Sequence, residues 1–343
     1  MFEDKFDLLN LQPQKVSKDI ASYTFMLYAP PKFGKTTFVY DLFGQKALFA
    51  RTEKGTKVLA GLMGVDVASW SDMIMLKTKL QMHKEVLQQR IIVIDTVDNL
   101  WNFLETYVCN KYGVSPTDIN KANGGYGKGY KEMSYEWFTL FKEIEDMGFT
   151  LCFISHAEKK MEKLTIGDKE QEFEKFIPSV HERGMKFITK MVDSILFAYL
   201  TVDQNGQQVQ ALYTRETLQF QAGSRFSKYM NPVLPYNPQA YESALIESIT
   251  KIEAERGSEF MKEERESNSV QETIYNFDEV MLEVKTIGIE IHNAGRQHEL
   301  DEVAEKYFGE GVKITNATPQ QVEQLVLALN ELKELVKAVP IGA

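Results

Sequence analysis

The chain has 343 residues, 43% of them hydrophobic and 26% charged, with a formal net charge of −10. That is the composition of a soluble globular protein with one large domain and a smaller one, or two domains. No apolar run approaches the roughly 18 residues that span a bilayer, and the acidic start MFEDKFDLLN lacks the basic-then-apolar order of a secretory signal, so a cytoplasmic protein without a membrane partner is expected. Cys109 and Cys152 sit in hydrophobic surroundings without C-x-x-C spacing and read as reduced core thiols rather than metal ligands or a disulfide. Without secretion, the glycosylation sequon at Asn316 carries no meaning.

The charge is unevenly placed. Residues 241–343 hold 10 Lys and Arg against 21 Asp and Glu, whereas residues 1–240 hold 29 against 28. The split suggests two functional units, and any contact with a phosphate backbone should fall on the near-neutral N-terminal part.

Up to about residue 220, short β-rich runs alternate with helical ones. The runs 23–29, 46–51, 90–95, 149–156, 194–200 and 209–214 read as strands, the middle ones apolar throughout, as parallel strands covered on both faces are. Helices are expected over Lys35–Phe43, Thr52–Leu62, near Ser71–Gln88, over Asn99–Lys111 and over Glu132–Asp146. This alternation predicts a doubly wound α/β sheet, with a hairpin turn at Asn205-Gly206. The proline-rich NPVLPYNP (231–238) reads as a domain exit, which puts a core at 1–238, a helix and charged linker at 239–272, and a small acidic helical domain at 273–343. In the last of these, Thr318 as N-cap, Pro319 in the first turn and Gln321 three residues after the cap announce a helix. Its apolar face repeats at Val322, Leu325, Val326, Leu329 and Leu332. That face is a domain core or a partner-binding surface.

Between the first strand and the first helix stands A-P-P-K-F-G-K-T (Ala29, Pro30, Pro31, Lys32, Phe33, Gly34, Lys35, Thr36), followed by Thr37. It ends as a phosphate-binding loop does, with a glycine turn, a lysine for charge and a hydroxyl for Mg²⁺, but begins with Ala29 where glycine is usual. Alanine serves there if the backbone keeps a negative φ. The two prolines remove N–H donors that are not needed if residues 32–37 supply them. A site for ATP and Mg²⁺ follows. Its second half is RIIVIDTVDNLW, an apolar strand ending in Asp95, which would hold Mg²⁺ through water with Thr96 assisting, or else cap a helix. Glu53, just after the strand that follows the phosphate-loop helix, is the candidate water-positioning base; the plainer reading is a solvated residue in a helix's first turn. His156, at the end of the next strand, is the candidate γ-phosphate sensor or a loop histidine in ordinary hydrogen bonds.

Taken together, these residues resemble the RecA-like branch of P-loop ATPases. More narrowly, TEKGT, GGYGKGY, ISHAEKK, MVDSILF and AGSRF resemble phage-encoded proteins of the RecA-like single-strand annealing group, over roughly residues 20–235. The resemblance implies a RecA-like core with a mostly parallel sheet and an ATPase acting on single-stranded DNA in phage recombination inside the bacterial host. It also implies a ring or filament of subunits. Arg225 in AGSRF resembles the basic residue that such proteins present to a neighbour's nucleotide; an intramolecular salt bridge or a base contact is the alternative. For DNA, Lys121, Tyr126, Lys128, Tyr130 and Lys131 mix charge and aromatic rings on flexible glycines, unless that stretch is a nucleotide lid or a linker. The long charged segment after His156 corresponds to a DNA-contacting loop, although its charges nearly cancel. A different class of function fits too: an ATP-gated interaction protein with slow hydrolysis, whose acidic C-terminal domain docks a single-strand binding protein or a helicase. A small-molecule kinase lacks the arginine cluster of a lid.

Overall fold

The computed structural model describes residues 16–53, 59–166, 169–256, 260–261 and 275–337. The chain divides into two compact units at Ser269/Val270.

The first unit is built on a mostly parallel sheet. Its strands are β1 (Phe25–Ala29), β2 (Ala47–Arg51), β3 (Gly64–Asp66), β4 (Ile91–Asp95), β5 (Thr150–Ile166), β6 (Lys169–Pro178), β7 (Ser194–Val202), β8 (Gln208–Tyr213), β9 (Gly223–Ser224) and β10 (Val233–Pro235). They lie in the order β10-β8-β7-β1-β5-β4-β2-β3, and every pairing from β7 to β3 is parallel. The predicted α/β architecture is therefore the one observed.

Alternation along the central strands explains why both faces are covered. Phe25, Leu27 and Ala29 of β1 and Ile91 and Val93 of β4 point to one face, where α1 (Lys35–Phe43) and Tyr241, Leu245 and Ile249 of α6 (Pro238–Arg256) pack. Met26, Tyr28, Ile92 and Ile94 point to the other. There they meet α2 (Trp70–His83), α3 (Val97–Lys111), α4 (Lys128–Asp146) and α5 (Glu182–Met191) through Trp70, Leu100, Trp137 and Ile188. Each such buried side chain contributes about 1.5–3 kcal/mol by leaving water. Cys109 and Cys152 are both buried and free.

Three expectations are corrected. The described parts of the expected helix Thr52–Leu62 are not helical: Thr52 and Glu53 form a bend, residues 54–58 lie outside the described residues, and residues 59–62 lead without helix into the short parallel strand β3. The charged segment after His156 is not a loop. β5 runs straight on past the sheet and returns as β6, a ten-pair antiparallel hairpin, and α5 follows it. Finally, Gly129 of GGYGKGY is no source of flexibility. A Cβ there would lie 2.5 Å from the Ile119 carbonyl oxygen, so the glycine lets the start of α4 pack closely.

The second unit has its own core, from α7 (Phe277–Asn293), α8 (Gln297–Phe308) and α9 (Val322–Lys337). Val280, Val284, Val303, Leu325, Leu329 and Leu332 are buried in it. The expected N-terminal signal is present one turn early: Thr318 and Gln321 form a reciprocal capping box around a 3₁₀ turn, Pro319–Gln321, that leads into α9. The charged linker lies largely outside the described residues.

Candidate active site

Strand register assembles the site. β5 lies between β1 and β4, with His156 level with Ala29 and Ile154 level with Asp95. On the far side of β4, Arg51 is level with Asp95. The carboxyl ends of four parallel strands thus share one edge, and whatever follows each strand converges there.

The phosphate loop leaves β1 at Ala29, which is buried and still in the strand. The positive-φ residues of the loop are Lys32 at 61° and Gly34 at 89°. The departure at Ala29 therefore brings no backbone strain, because the left-handed conformations fall on Lys32 and Gly34. Gly34 also starts α1, so the helix's free N–H groups and positive dipole end face the loop. Pro30, Pro31, Phe33 and Thr37 complete the segment. The Lys35 ammonium is buried and donates to the carbonyl oxygens of Ala29 and Pro30, each at 3.1 Å. Burial depresses its pKa, which Asp95, Asp98 and Glu53 partly oppose. A cation held over the loop in this way is placed for phosphate oxygens.

The Thr36 hydroxyl donates to Asp95 Oδ2 at 2.9 Å. Asp95 is 4% exposed, and burial pushes its carboxyl up to about 6 despite that hydrogen bond. A carboxylate this poorly solvated is short of positive charge. Among the described residues no cluster of three or more His, Cys, Asp or Glu could form a protein-only metal cage. A hydroxyl beside a single carboxylate fits Mg²⁺, which keeps water and phosphate ligands of its own. The ends of β2 and β4 are pinned by Thr52. Its hydroxyl donates to the Thr96 carbonyl at 2.9 Å and accepts from Thr96 N–H at 2.8 Å, and its N–H donates to the Asp95 carbonyl at 2.7 Å. The Asp95–Thr96 peptide is cis.

Glu53 and His156 are brought together. His156 Nε2 lies 3.7 Å from Glu53 Oε1, and Asn99 Nδ2 donates to Glu53 Oε2 at 3.5 Å. The imidazole is fixed from its other side: Asp98 Oδ2 is 2.9 Å from Nδ1, and Asp98 Oδ1 accepts the His156 backbone N–H at 3.4 Å. The Asp98 hydrogen bond raises the His156 pKa. The site thus holds a carboxylate, an oriented imidazole and a buried ammonium around one strand edge. Thr52, Asp98 and Asn99 were not singled out from the sequence. The D-x-x-D spacing of Asp95 and Asp98 was the one visible trace of Asp98, which α3's first turn places against His156.

Arg225 is elsewhere. Its guanidinium is 3.1 Å from Asp193 Oδ1, and the Arg225 backbone N–H donates to the Asp193 carbonyl oxygen. Asp193 precedes β7 and binds the N–H of Thr24, just before β1. Arg225 therefore stands at the amino edge of the sheet, away from its own subunit's phosphate loop, in the salt bridge that was its alternative reading. The DNA candidates divide. Tyr126 is fully exposed, and Lys128 and Lys131 are exposed at the start of α4. Lys121 is ion-paired to Asp118 at 3.0 Å, and Tyr130 stacks on His181 under the Arg183 guanidinium.

Among the described residues no helix is long and apolar enough to cross a membrane. A family model described as an AAA domain matches residues 21–226. The chain is also 28% identical, over 96% of its length and 98% of the relative's, to the SPbeta prophage-derived uncharacterized protein YorG of Bacillus subtilis (strain 168). The matched span begins just before β1 and takes in Lys35, Thr36, Glu53, Asp95 and His156, and it covers more than half of the chain. With the phosphate loop, its helix and the strand-end aspartate arranged as a nucleotide site inside that span, the chain belongs to the AAA-domain family of P-loop ATPases.

Proposed function

We propose that the protein is a phage Mg²⁺-dependent ATPase that acts on single-stranded DNA in recombination, by annealing or strand handling. The observation that supports turnover, beyond binding, is the grouping of Glu53, His156 and Asp98 beside the Thr36–Asp95 pair. In this reading Lys35 and the loop N–H groups hold the ATP phosphates and Mg²⁺ sits at Thr36 and Asp95, where it offsets phosphate charge. Glu53 orients the attacking water, and His156 contacts the γ-phosphate. The DNA part rests on the resemblance to the RecA-like annealing group and on the exposed Tyr126, Lys128 and Lys131, which lie at the start of α4. Because α4 runs back to the beginning of β5, its start is on the edge that carries the phosphate loop. Arg225, remote from its own site, acts on a neighbour's nucleotide in a ring or filament.

A second reading, an ATP-gated interaction protein with slow hydrolysis, draws on the hairpin. Three of its lysines are matched by carboxylates, Lys159 with Glu174, Lys163 with Glu170 and Lys175 with Glu162, which leaves little net charge for a nucleic acid. The ATP turnover rate with and without a single-stranded oligonucleotide separates the two, with Lys35→Ala and Glu53→Gln as controls. Acceleration by single strands that both variants lose supports the DNA-acting ATPase. Tight ATP binding with turnover that is negligible and indifferent to DNA overturns it in favour of the second reading.

A further inference from the structure

The C-terminal unit contains a cavity of about 380 Å³, at the small end of the roughly 300–1,000 Å³ typical of ligand pockets. Apolar groups of α7, α8 and α9 line it, among them Val284, Leu300 and Leu332, together with Gly288, Lys285 and Lys313. Two features of that lining have no folding rationale.

The first is Gly288. It lies inside α7, where glycine is the poorest helix former after proline. Its φ is not left-handed, and a Cβ built on it would meet no atom within 4 Å. Neither backbone geometry nor close packing requires glycine there. What its missing side chain leaves open is the cavity.

The second is charge. Residues 275–337 hold twelve carboxylates and six basic residues. Arg296 is ion-paired to Glu299, Lys306 to Glu331 and Lys333 to Glu283. Lys285 and Lys313 have neither an ion pair nor a hydrogen bond among the described residues, although carboxylates outnumber cations two to one. The helix gives Lys285 no acidic neighbour three or four positions away. His292 adds a third basic group to the lining, its Nδ1 2.7 Å from Gln297 Oε1. Asp301 is the one acidic residue of the lining, and it already accepts from Gln297 Nε2 at 2.9 Å. Beside the cavity, Ile289 is 61% exposed.

We propose that this cavity docks an acidic peptide segment of a partner protein, which seats one large apolar side chain over Gly288 and sets carboxylates against Lys285 and Lys313. The apolar lining supplies the burial, and the unpaired lysines supply orientation and selectivity. A nucleic acid is disfavoured as occupant because the lining is mainly apolar and sets only Lys285, Lys313 and His292 against a phosphate chain, too few cations to hold a polyanion. The inference stands apart from the ATPase reading, since no residue of the phosphate-loop unit enters it.

The test is selection of a displayed library of random dodecapeptides on the full chain, followed by fluorescence anisotropy with the recovered peptides. The expected peptides combine a large apolar residue with Asp or Glu, and bind more weakly as salt is raised. Lys285→Glu with Lys313→Glu should weaken them at least tenfold. Gly288→Leu is the diagnostic variant. It fills the cavity and improves the helix, so the melting temperature of the second unit should stay level or rise while peptide binding falls at least tenfold. A loss of binding with unchanged or raised stability cannot come from misfolding. The proposal is overturned if no peptide is recovered, if the recovered peptides are neutral or basic, if Gly288→Leu binds them as the parent does, or if a single-stranded oligonucleotide competes for the same site.

Discussion

Thr36 opens α1 and Asp95 ends β4, 59 positions apart in sequence, yet the threonine hydroxyl donates to the aspartate carboxylate at 2.9 Å. The contact joins the end of the phosphate loop to the end of β4 across the intervening strand β5. Replacing Thr36 with Val keeps the shape and removes the hydroxyl. If this pair holds Mg²⁺, the parent protein binds ATP more tightly with Mg²⁺ than with a chelator, and Thr36→Val loses most of that difference while binding metal-free ATP unchanged. Equal metal dependence in the two proteins, by isothermal titration, would sink the assignment.

The alanine at the head of the phosphate loop invites a simple reversal. Ala29 is buried in β1 and does not have the positive φ that favours glycine. Ala29→Gly should therefore leave ATP affinity within about twofold and lower stability by roughly 1 kcal/mol through added chain entropy and a lost buried methyl. A large gain in affinity would show that Ala29 restrains the loop.

Asp98 is a positioning residue for His156, and pH exposes the role. Its hydrogen bond raises the His156 pKa, with Glu53 acting in the same direction and Lys35 against it. The imidazolium therefore survives above its ordinary range in the parent protein. In Asp98→Asn the proton leaves at lower pH, so the alkaline fall in turnover should move to lower pH, with ATP affinity little changed at pH 6. Chemical shifts of labelled histidine report the same change without any turnover. An unmoved His156 titration would remove Asp98 from the site.

How much of this was legible beforehand follows from the range of each interaction. Lys35–Phe43 was readable as a helix because a left-handed glycine starts it and apolar spacing continues it, and both signals are local. Ile91–Asp95 was readable because a strand buried on both faces must be apolar throughout. The hairpin of β5 and β6 was hidden, since its charges are matched across strands, Lys163 with Glu170 seven positions on and Lys159 with Glu174 fifteen positions on, and look like a solvated loop when read singly. Asp98 was hidden for the same reason. Its partner is 58 positions away, and only the insertion of β5 between β1 and β4 brings the two together.

Glu145, near the end of α4, offers a stability test away from the site. Burial, helped by Asp146, pushes its carboxyl up to about 7, with Lys142 opposing. A raised folded pKa means that the associated stability is fully present below about 4.5 and lost as pH climbs through 7. Glu145→Gln removes the ionisation. It should unfold at a higher temperature than the parent at pH 8, by about 1–2 kcal/mol once partial solvation is allowed for, and match it at pH 4. A constant difference across that window would assign the effect to packing instead.

Arg225 separates a structural cation from one that works in trans. Its ion pair with Asp193 is largely exposed, with the arginine side chain 64% accessible, so the pair itself contributes under about 1 kcal/mol. Arg225→Ala should leave the melting temperature and ATP affinity of the isolated subunit nearly unchanged. Its position at the amino edge of the sheet sets it away from its own phosphate loop, so the catalytic role proposed for it would act on a neighbour's nucleotide. The expected behaviour is complementation. Arg225→Ala and Lys35→Ala are each inactive alone, but a mixture regains turnover, because a Lys35→Ala subunit can lend its arginine to the intact nucleotide site of an Arg225→Ala subunit. The recovered rate should rise with total protein concentration as mixed assemblies form. Full activity of Arg225→Ala alone would reduce the residue to its salt bridge. Inactivity that mixing does not relieve would place its role within the folded subunit.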